Sequence, residues 1–89
     1  SAFELLQTYS KYKPIRLTGI SLDDALYFIV KGKPLFAMTG LNKALVIYGY
    51  DAYNIYVADP STGKKSKMGL QTAAKQFEEN GNIFISYLE

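Results

Sequence analysis

The sequence contains no cysteine, no histidine and no tryptophan among its 89 residues. Without cysteine, the chain forms no disulfide, holds no metal through a thiolate and offers no thiol nucleophile. Without histidine, it also lacks the commonest general base and metal ligand. Only scattered carboxylates remain as hard metal ligands, and no glycine-rich phosphate-loop pattern is present. We therefore expect no metal site and no cofactor.

Neither a strong excess of charge nor a long hydrophobic run is present. Ten Lys and Arg against eight Asp and Glu leave a net charge of +2, which falls short of a nucleic-acid-binding signature. The apolar runs are too short to span a bilayer. An apolar fraction of 48% with 20% charged residues is ordinary for a folded domain. We predict one domain over residues 1–89 that neither binds nucleic acid nor inserts into a membrane.

The start of the chain suggests that this domain belongs to a larger protein. The first residue is not methionine, and the first residues do not have the pattern of a signal peptide. We therefore expect the chain to be a fragment excised from a longer sequence.

Two stretches have the signals of helices. The first, residues 21–31, has Ser21 as an N-cap, two aspartates in its first turn and Lys31 followed by glycine at its end. Its broad apolar surface predicts burial on more than one side. The second is amphipathic and covers residues 70–80. A short helix over residues 1–9 is also compatible with the pattern.

The remaining apolar runs are rich in Val, Ile and Tyr and predict strands. In residues 44–50 and 54–59 both alternating faces are largely apolar, which is typical of strands covered on both sides. The basic stretch 11–19, which contains a proline, predicts an extended connection. The fold class is therefore α+β, with the two helices packed on a mostly antiparallel sheet of about four or five strands. These strands are expected near residues 35–38, 44–50, 54–59, 65–68 and 83–88.

Residues 43–60 predict a hairpin at the centre of the sheet. If it turns near Asp51, residues whose numbers sum to about 102 to 104 lie opposite one another. Lys43 then lies beside Asp59 or within one pairing step of it. Asp51 is expected to be a turn residue rather than a ligand, and the Asp-Pro-Ser-Thr-Gly sequence at 59–63 predicts a second turn.

The hairpin contains the sequences Ala-Leu-Val-Ile-Tyr-Gly-Tyr-Asp at 44–51 and Asp-Pro-Ser-Thr-Gly at 59–63. These sequences resemble an active-site pattern of papain-like peptidases related to bacteriocin-leader peptidases. In that family a strand opens with His-Ala-Val-Val, runs into Gly-Tyr-Asp and returns to Asp-Pro-x-x-Gly. The order of the flanking helices and strands also agrees. Over residues 15–88 the chain is similar to the C-terminal half of such a peptidase domain, which implies half of a papain-like fold.

The resemblance also implies that this copy is catalytically degenerate. Asp59 matches the acid that orients the base histidine, and Lys43 stands where that histidine would be. A lysine has no second nitrogen for the acid to hold, and its ammonium form is favoured beside a carboxylate. The family's nucleophilic cysteine lies upstream, and no residue here replaces it. We expect no catalytic residue, and a vestigial cleft or binding rim at Lys43, Asp59 and Tyr50. The alternative for Lys43 and Asp59 is an ion pair at a strand edge.

Two further surfaces have open interpretations. The lysines at 64, 65 and 67 form either a solvated hairpin tip, which we favour, or a surface for an anionic partner. The tyrosines of the hairpin form either ordinary strand packing, which we favour, or a surface that binds peptide. These tyrosines are Tyr48, Tyr50, Tyr53 and Tyr56.

The leading functional hypothesis is a non-catalytic, peptidase-like module that binds a peptide or a neighbouring domain within a larger bacterial protein. One alternative is the C-terminal half of an active cysteine peptidase whose nucleophile lies upstream. A second is a structural or self-association domain, including a homodimer. The family resemblance implies an extracytoplasmic or cell-envelope location.

Overall fold

The computed structural model describes residues 13–88. Over these residues the chain forms six strands and three helices. The helix predicted over residues 1–9 lies outside the described residues. The elements are β1 (Lys13–Thr18), α1 (Leu22–Ala25), α2 (Tyr27–Val30), β2 (Leu35–Gly40), β3 (Lys43–Tyr50), β4 (Asn54–Ala58), β5 (Lys65–Gly69), α3 (Leu70–Glu79) and β6 (Ile83–Leu88).

The strands form one antiparallel sheet in the order β1-β6-β2-β3-β4-β5. This confirms the α+β class and the five predicted strands, whose ends differ by no more than two residues. The stretch predicted as an extended connection is instead a sixth strand, β1, which pairs with β6 from Lys13↔Leu88 to Thr18↔Ile83. Because β1 is at an edge of the described sheet, it tolerates Pro14, which has no amide hydrogen to donate.

The predicted hairpin is not wholly central. β2 and β3 occupy the middle of the sheet, whereas β4 is next to the edge strand β5. The prediction that both hairpin strands lie at the centre of the sheet was therefore wrong for β4. On the side of β3 away from β4, β2 pairs with β3 and β6 pairs with β2, so the centre of the sheet lies at β2 and β3.

The first predicted helix is two four-residue segments, α1 and α2, joined at Leu26. The N-cap is confirmed, because the Ser21 hydroxyl oxygen accepts a hydrogen bond from the Asp24 amide at 3.1 Å. Leu26 has ψ −17°, a tighter value typical of a 3₁₀ turn. Burial on more than one side was wrong: Tyr27 is 57% and Val30 66% exposed, because α2 packs against the core only through a partly buried side that includes Ile29.

The core lies on both faces of the sheet. The larger cluster lies between the sheet and the helices, where Phe77 of α3 meets Phe84 of β6 edge to face at a centroid distance of 5.8 Å. The smaller cluster lies on the opposite face and contains Phe36, Ile85 and Tyr87. The buried residues of the larger cluster are Leu22, Ala25, Leu26, Leu35, Ala37, Ile47, Ile55, Val57, Ala73, Phe77 and Phe84.

No helix within residues 13–88 is long and apolar enough to cross a membrane.

Candidate functional site

The β3–β4 turn is organised by the side chain of Asp51. One carboxylate oxygen accepts hydrogen bonds from the amides of Tyr53 at 2.9 Å and Asn54 at 2.8 Å. The other accepts from the hydroxyl of Tyr56. The Asp51 amide in turn donates to the Asn54 carbonyl at 2.9 Å. The prediction that Asp51 is a turn residue is confirmed.

These hydrogen bonds change the acidity of both side chains. The Tyr56 hydroxyl, followed by the Tyr53 and Asn54 amides, stabilises the Asp51 carboxylate and lowers its pKa below the usual 3.8. The same bond favours the protonated phenol, so the pKa of Tyr56 is raised above 10.0. The turn therefore holds a carboxylate that stays ionised under mildly acidic conditions.

Replacing Asp51 with asparagine should remove a pH-dependent part of the stability. A carboxyl group whose pKa is lower in the folded state stabilises the fold fully above its unfolded pKa, and this contribution is lost as the pH falls through the folded pKa. The stability difference between wild type and D51N, measured by urea unfolding, should therefore shrink between about pH 5 and about pH 2. Tyr56→Phe should show a smaller difference with the same pH trend, since Tyr56 supplies only one of the bonds. A difference that stays constant with pH would contradict this account.

At the opposite end of the hairpin, Asp59 is held mainly by its own turn. Its carboxylate accepts from the Ser61 amide at 2.8 Å and the Ser61 hydroxyl at 2.7 Å. These bonds are the main reason why the pKa of Asp59 is lowered, and the positive charge of Lys43 makes the smallest contribution. Gly63 closes the turn with φ +75°, a conformation that favours glycine, as the sequence predicted.

The register places Lys43 and Asp59 diagonally. Val46 pairs with Ala58, so opposing residue numbers at this end of the hairpin sum to 104, the upper end of the expected range. Nearer the turn, where Gly49 pairs with Tyr56, they sum to 105. If the register of Val46 and Ala58 is continued, Asp59 lies opposite Leu45, two residues from Lys43 and on the same face of the sheet. The two side chains are neighbours, but Lys43 is not the principal partner of Asp59.

Tyr50 does not join them. It ends β3, seven residues from Lys43, or about 23 Å along an extended strand. The predicted rim of Lys43, Asp59 and Tyr50 is therefore not one site. Tyr50 instead lines a shallow depression of about 590 Å³ beside α1 and α2. Its other lining residues are Asp23, Asp24, Leu26, Tyr27 and Val30.

A β-bulge explains why Tyr50 lies on the helix side of the sheet. The β3–β4 register shifts between Ile47 and Gly49, so one extra residue enters β3 and the alternation of faces changes there. Tyr48 faces away from the helices and lies beside Tyr56, with ring centroids 6.3 Å apart, whereas Tyr50 reaches the helix side. The alternation of residues along β3 does not predict the bulge.

A second surface combines these tyrosines with lysines of β5. The Lys65 ammonium lies 5.5 Å from the centroid of the Tyr48 ring, and Lys67 pairs across the strands with Tyr56. We call Tyr48, Tyr56, Lys65 and Lys67 the Tyr–Lys face. We favoured ordinary strand packing for the hairpin tyrosines, and the half-buried side chain of Tyr56 agrees with it. Strand packing does not fit Tyr48, Tyr50 and Tyr53, which are 49%, 41% and 81% exposed.

A metal centre is not formed by the described side chains: residues 13–88 contain no group of three or more His, Cys, Asp or Glu that could hold an ion.

Comparison with known proteins identifies a fold. No protein-family model and no curated protein matches the sequence. Among solved structures, the chain is similar to a protein from Bacillus anthracis described as a C39-like peptidase, with a TM-score of 0.78 and 21% sequence identity. The match covers 98% of this chain and 56% of that one.

The fold of this chain is therefore similar to that of about half of the C39-like peptidase. This confirms the predicted resemblance at the level of the fold. Because the chain contains no cysteine, it is not a thiol peptidase on its own.

Proposed function

We propose that this domain is a non-catalytic module with a peptidase-like fold that binds an extended peptide or a neighbouring protein domain. The observation that carries the proposal is a peptidase-like fold in a chain that lacks both cysteine and histidine. Such a chain retains a scaffold for holding polypeptide but has neither a thiolate to attack it nor an imidazole to activate one.

The residue at the position of the family's base histidine is Lys43, and its surroundings support the same proposal. Lys43 is exposed at the start of β3, and the carboxylate of Asp59, its diagonal neighbour, is hydrogen-bonded to Ser61. Both bonds go to Oδ1 of Asp59, so the acid serves its own turn and has no imidazole to orient in this chain. Installing a histidine at position 43 should still give no cleavage, because the chain contains no thiol for that histidine to activate.

The test combines a hydrolysis assay with a binding assay. We expect the wild type and Lys43→His to leave a mixed library of fluorogenic peptides uncleaved, while amide chemical shifts of the wild type move during titration with the same library. Cleavage by the pure wild-type domain would overturn the non-catalytic part. An absence of shifts at millimolar peptide would overturn the binding part.

A second candidate is half of an active hydrolase. It is favoured by one observation, namely that 56% of the C39-like peptidase is covered, which leaves the rest of that protein without a counterpart in these residues. A longer version of the protein that includes any upstream sequence should then cleave peptides and lose this activity when an upstream cysteine is changed to serine. If no upstream cysteine exists, this candidate fails.

A further inference from the structure

The outer edge of β5 is an unpaired strand edge in the described part of the chain. Within residues 13–88, β5 pairs with β4 and has no strand on its other side. Lys65 and Lys67 on this strand are exposed. A free edge offers a row of backbone donors and acceptors to which an extended segment can add.

The hydrogen bonds that bracket β5 show which backbone groups face outward. Asp59 donates to the Lys64 carbonyl at 2.9 Å, and Leu70 donates to the Tyr53 carbonyl at 2.8 Å. In an antiparallel pair every second residue is hydrogen-bonded to its partner. The even-numbered residues from 64 to 70 therefore face β4, and the amides and carbonyls of Lys65, Lys67 and Gly69 point to the free edge.

The two exposed lysine side chains beside this edge carry positive charge. Lys65 and Lys67 lie on the face that carries Tyr48 and Tyr56. An added strand would place two alternate residues opposite the two lysines, at a distance suited to pairing of opposite charges. Carboxylates at these two positions would be complementary, and a second copy of the same lysine-bearing edge would be repelled.

A depression lies at the end of the same edge. It has a volume of about 440 Å³ and is lined by residues of the β3–β4 turn and of the β5–α3 junction, including Tyr53, Gly69 and Leu70. Gly69 has no side chain to oppose a residue on an added strand. A large apolar side chain opposite Gly69 would therefore have room beside Tyr53, which is 81% exposed.

From these observations we infer that the β5 edge binds an acidic, extended segment of a partner protein as a seventh strand. The segment runs antiparallel to β5. It carries acidic residues at two alternate positions, opposite Lys67 and Lys65, and a large apolar residue two positions before the first of them, opposite Gly69. This inference rests on the proposed binding function and names its surface and the chemistry of its ligand.

Lysines at a free edge also have a simpler role, because charged edge residues discourage aggregation between sheets. The two roles differ in one respect. If the lysines only prevent aggregation, side chains of either charge would serve equally well. If they recognise a partner, the sign of their charge determines which peptide binds.

The test uses two matched peptides and two matched variants. One peptide has the core Phe-Thr-Glu-Thr-Glu, and the other replaces both glutamates with lysine. The double variant K65E/K67E reverses the charge of the edge, and the control K75E reverses the charge of exposed Lys75 on α3. Binding is followed by amide chemical shifts and by hydrogen exchange of the amides along β5, with wild-type and variant spectra checked first for an intact fold.

We expect the wild type and K75E to bind the glutamate peptide about tenfold more tightly than the lysine peptide, and K65E/K67E to reverse this preference. Hydrogen exchange should slow at the Lys65, Lys67 and Gly69 amides. The Ser66 and Met68 amides, already bonded to β4, should change little.

Three results would overturn the inference. Shifts at another surface would refute the β5 edge but leave the proposed binding function intact. An absence of chemical-shift changes with these peptides and with the mixed library would refute both the β5 edge as the binding surface and the proposed binding function. Equal shifts with inorganic tripolyphosphate, without slower exchange at the edge amides, would show general anion binding instead of strand addition.

Discussion

Replacing Phe77 with alanine is expected to lower the free energy of unfolding by about 3 to 5 kcal/mol. Phe77 is 1% exposed and meets Phe84, which is fully buried, edge to face. Truncation removes apolar contact and leaves a cavity that the sheet and α3 fill only in part. Small domains are stable by on the order of 5 to 15 kcal/mol, so the loss is a large share of the total.

Urea unfolding followed by circular dichroism measures this loss. Tyr53→Ala is a matched control, because Tyr53 is an aromatic residue that is 81% exposed. Its expected effect lies within about 0.5 kcal/mol. Equal effects of the two substitutions would show that α3 does not pack on the sheet as described. If the Phe77 variant is unfolded, Phe77→Leu should give a smaller, measurable loss.

Replacing Phe36 with alanine is expected to be nearly as harmful, again by about 3 to 5 kcal/mol. Phe36 lies on the sheet face opposite the helices and is only 3% exposed. It packs in the smaller cluster with Ile85 and Tyr87. The expectation follows from its burial, since the cost of truncation depends on how tightly the side chain is packed and not on which face of the sheet carries it.

Leu41→Ala is the control that separates the effect of losing a buried side chain from the effect of losing an apolar one. Leu41 is apolar but 94% exposed in the β2–β3 turn, so its truncation should change stability by about 0.5 kcal/mol or less. The same urea experiment measures both variants. A loss below about 1 kcal/mol for Phe36→Ala would mean that the second face of the sheet is open to solvent.

The two clusters bear on the proposed binding surface. Phe36 and Ile85 are buried on the β2–β6 part of the second face, while the exposed Tyr48 and Lys65 lie on its β3–β5 part. The accessible part of this face therefore adjoins the free edge of β5. A partner strand added at that edge would extend the sheet where it is least covered.

The motif in the hairpin of residues 43–60 predicted the fold but not the arrangement of the hairpin side chains. The order of the motif predicted a peptidase-like fold, and the structural similarity confirms that fold. The single rim of Lys43, Asp59 and Tyr50 that the motif also predicted is not formed, because Lys43 and Tyr50 lie at opposite ends of β3. The bulge between Ile47 and Gly49 further separates the tyrosines onto different faces.

Several features were determined by the sequence alone. The Ser21 cap, the helix over Leu70–Glu79 and the turns at Asp51 and Asp59 follow from local propensities, since each depends on residues within a few positions of one another. The lack of cysteine and histidine likewise excludes thiol-peptidase chemistry by this chain alone.

The tertiary structure decided the rest. The pairing of β1 with β6 joins Thr18 to Ile83, and no local pattern encodes a contact across that separation. The break at Leu26, the bulge in β3 and the free edge of β5 depend on how the sheet is assembled. Local periodicity determines which residues alternate along a strand, but only pairing with distant strands determines which face is covered and which edge remains open.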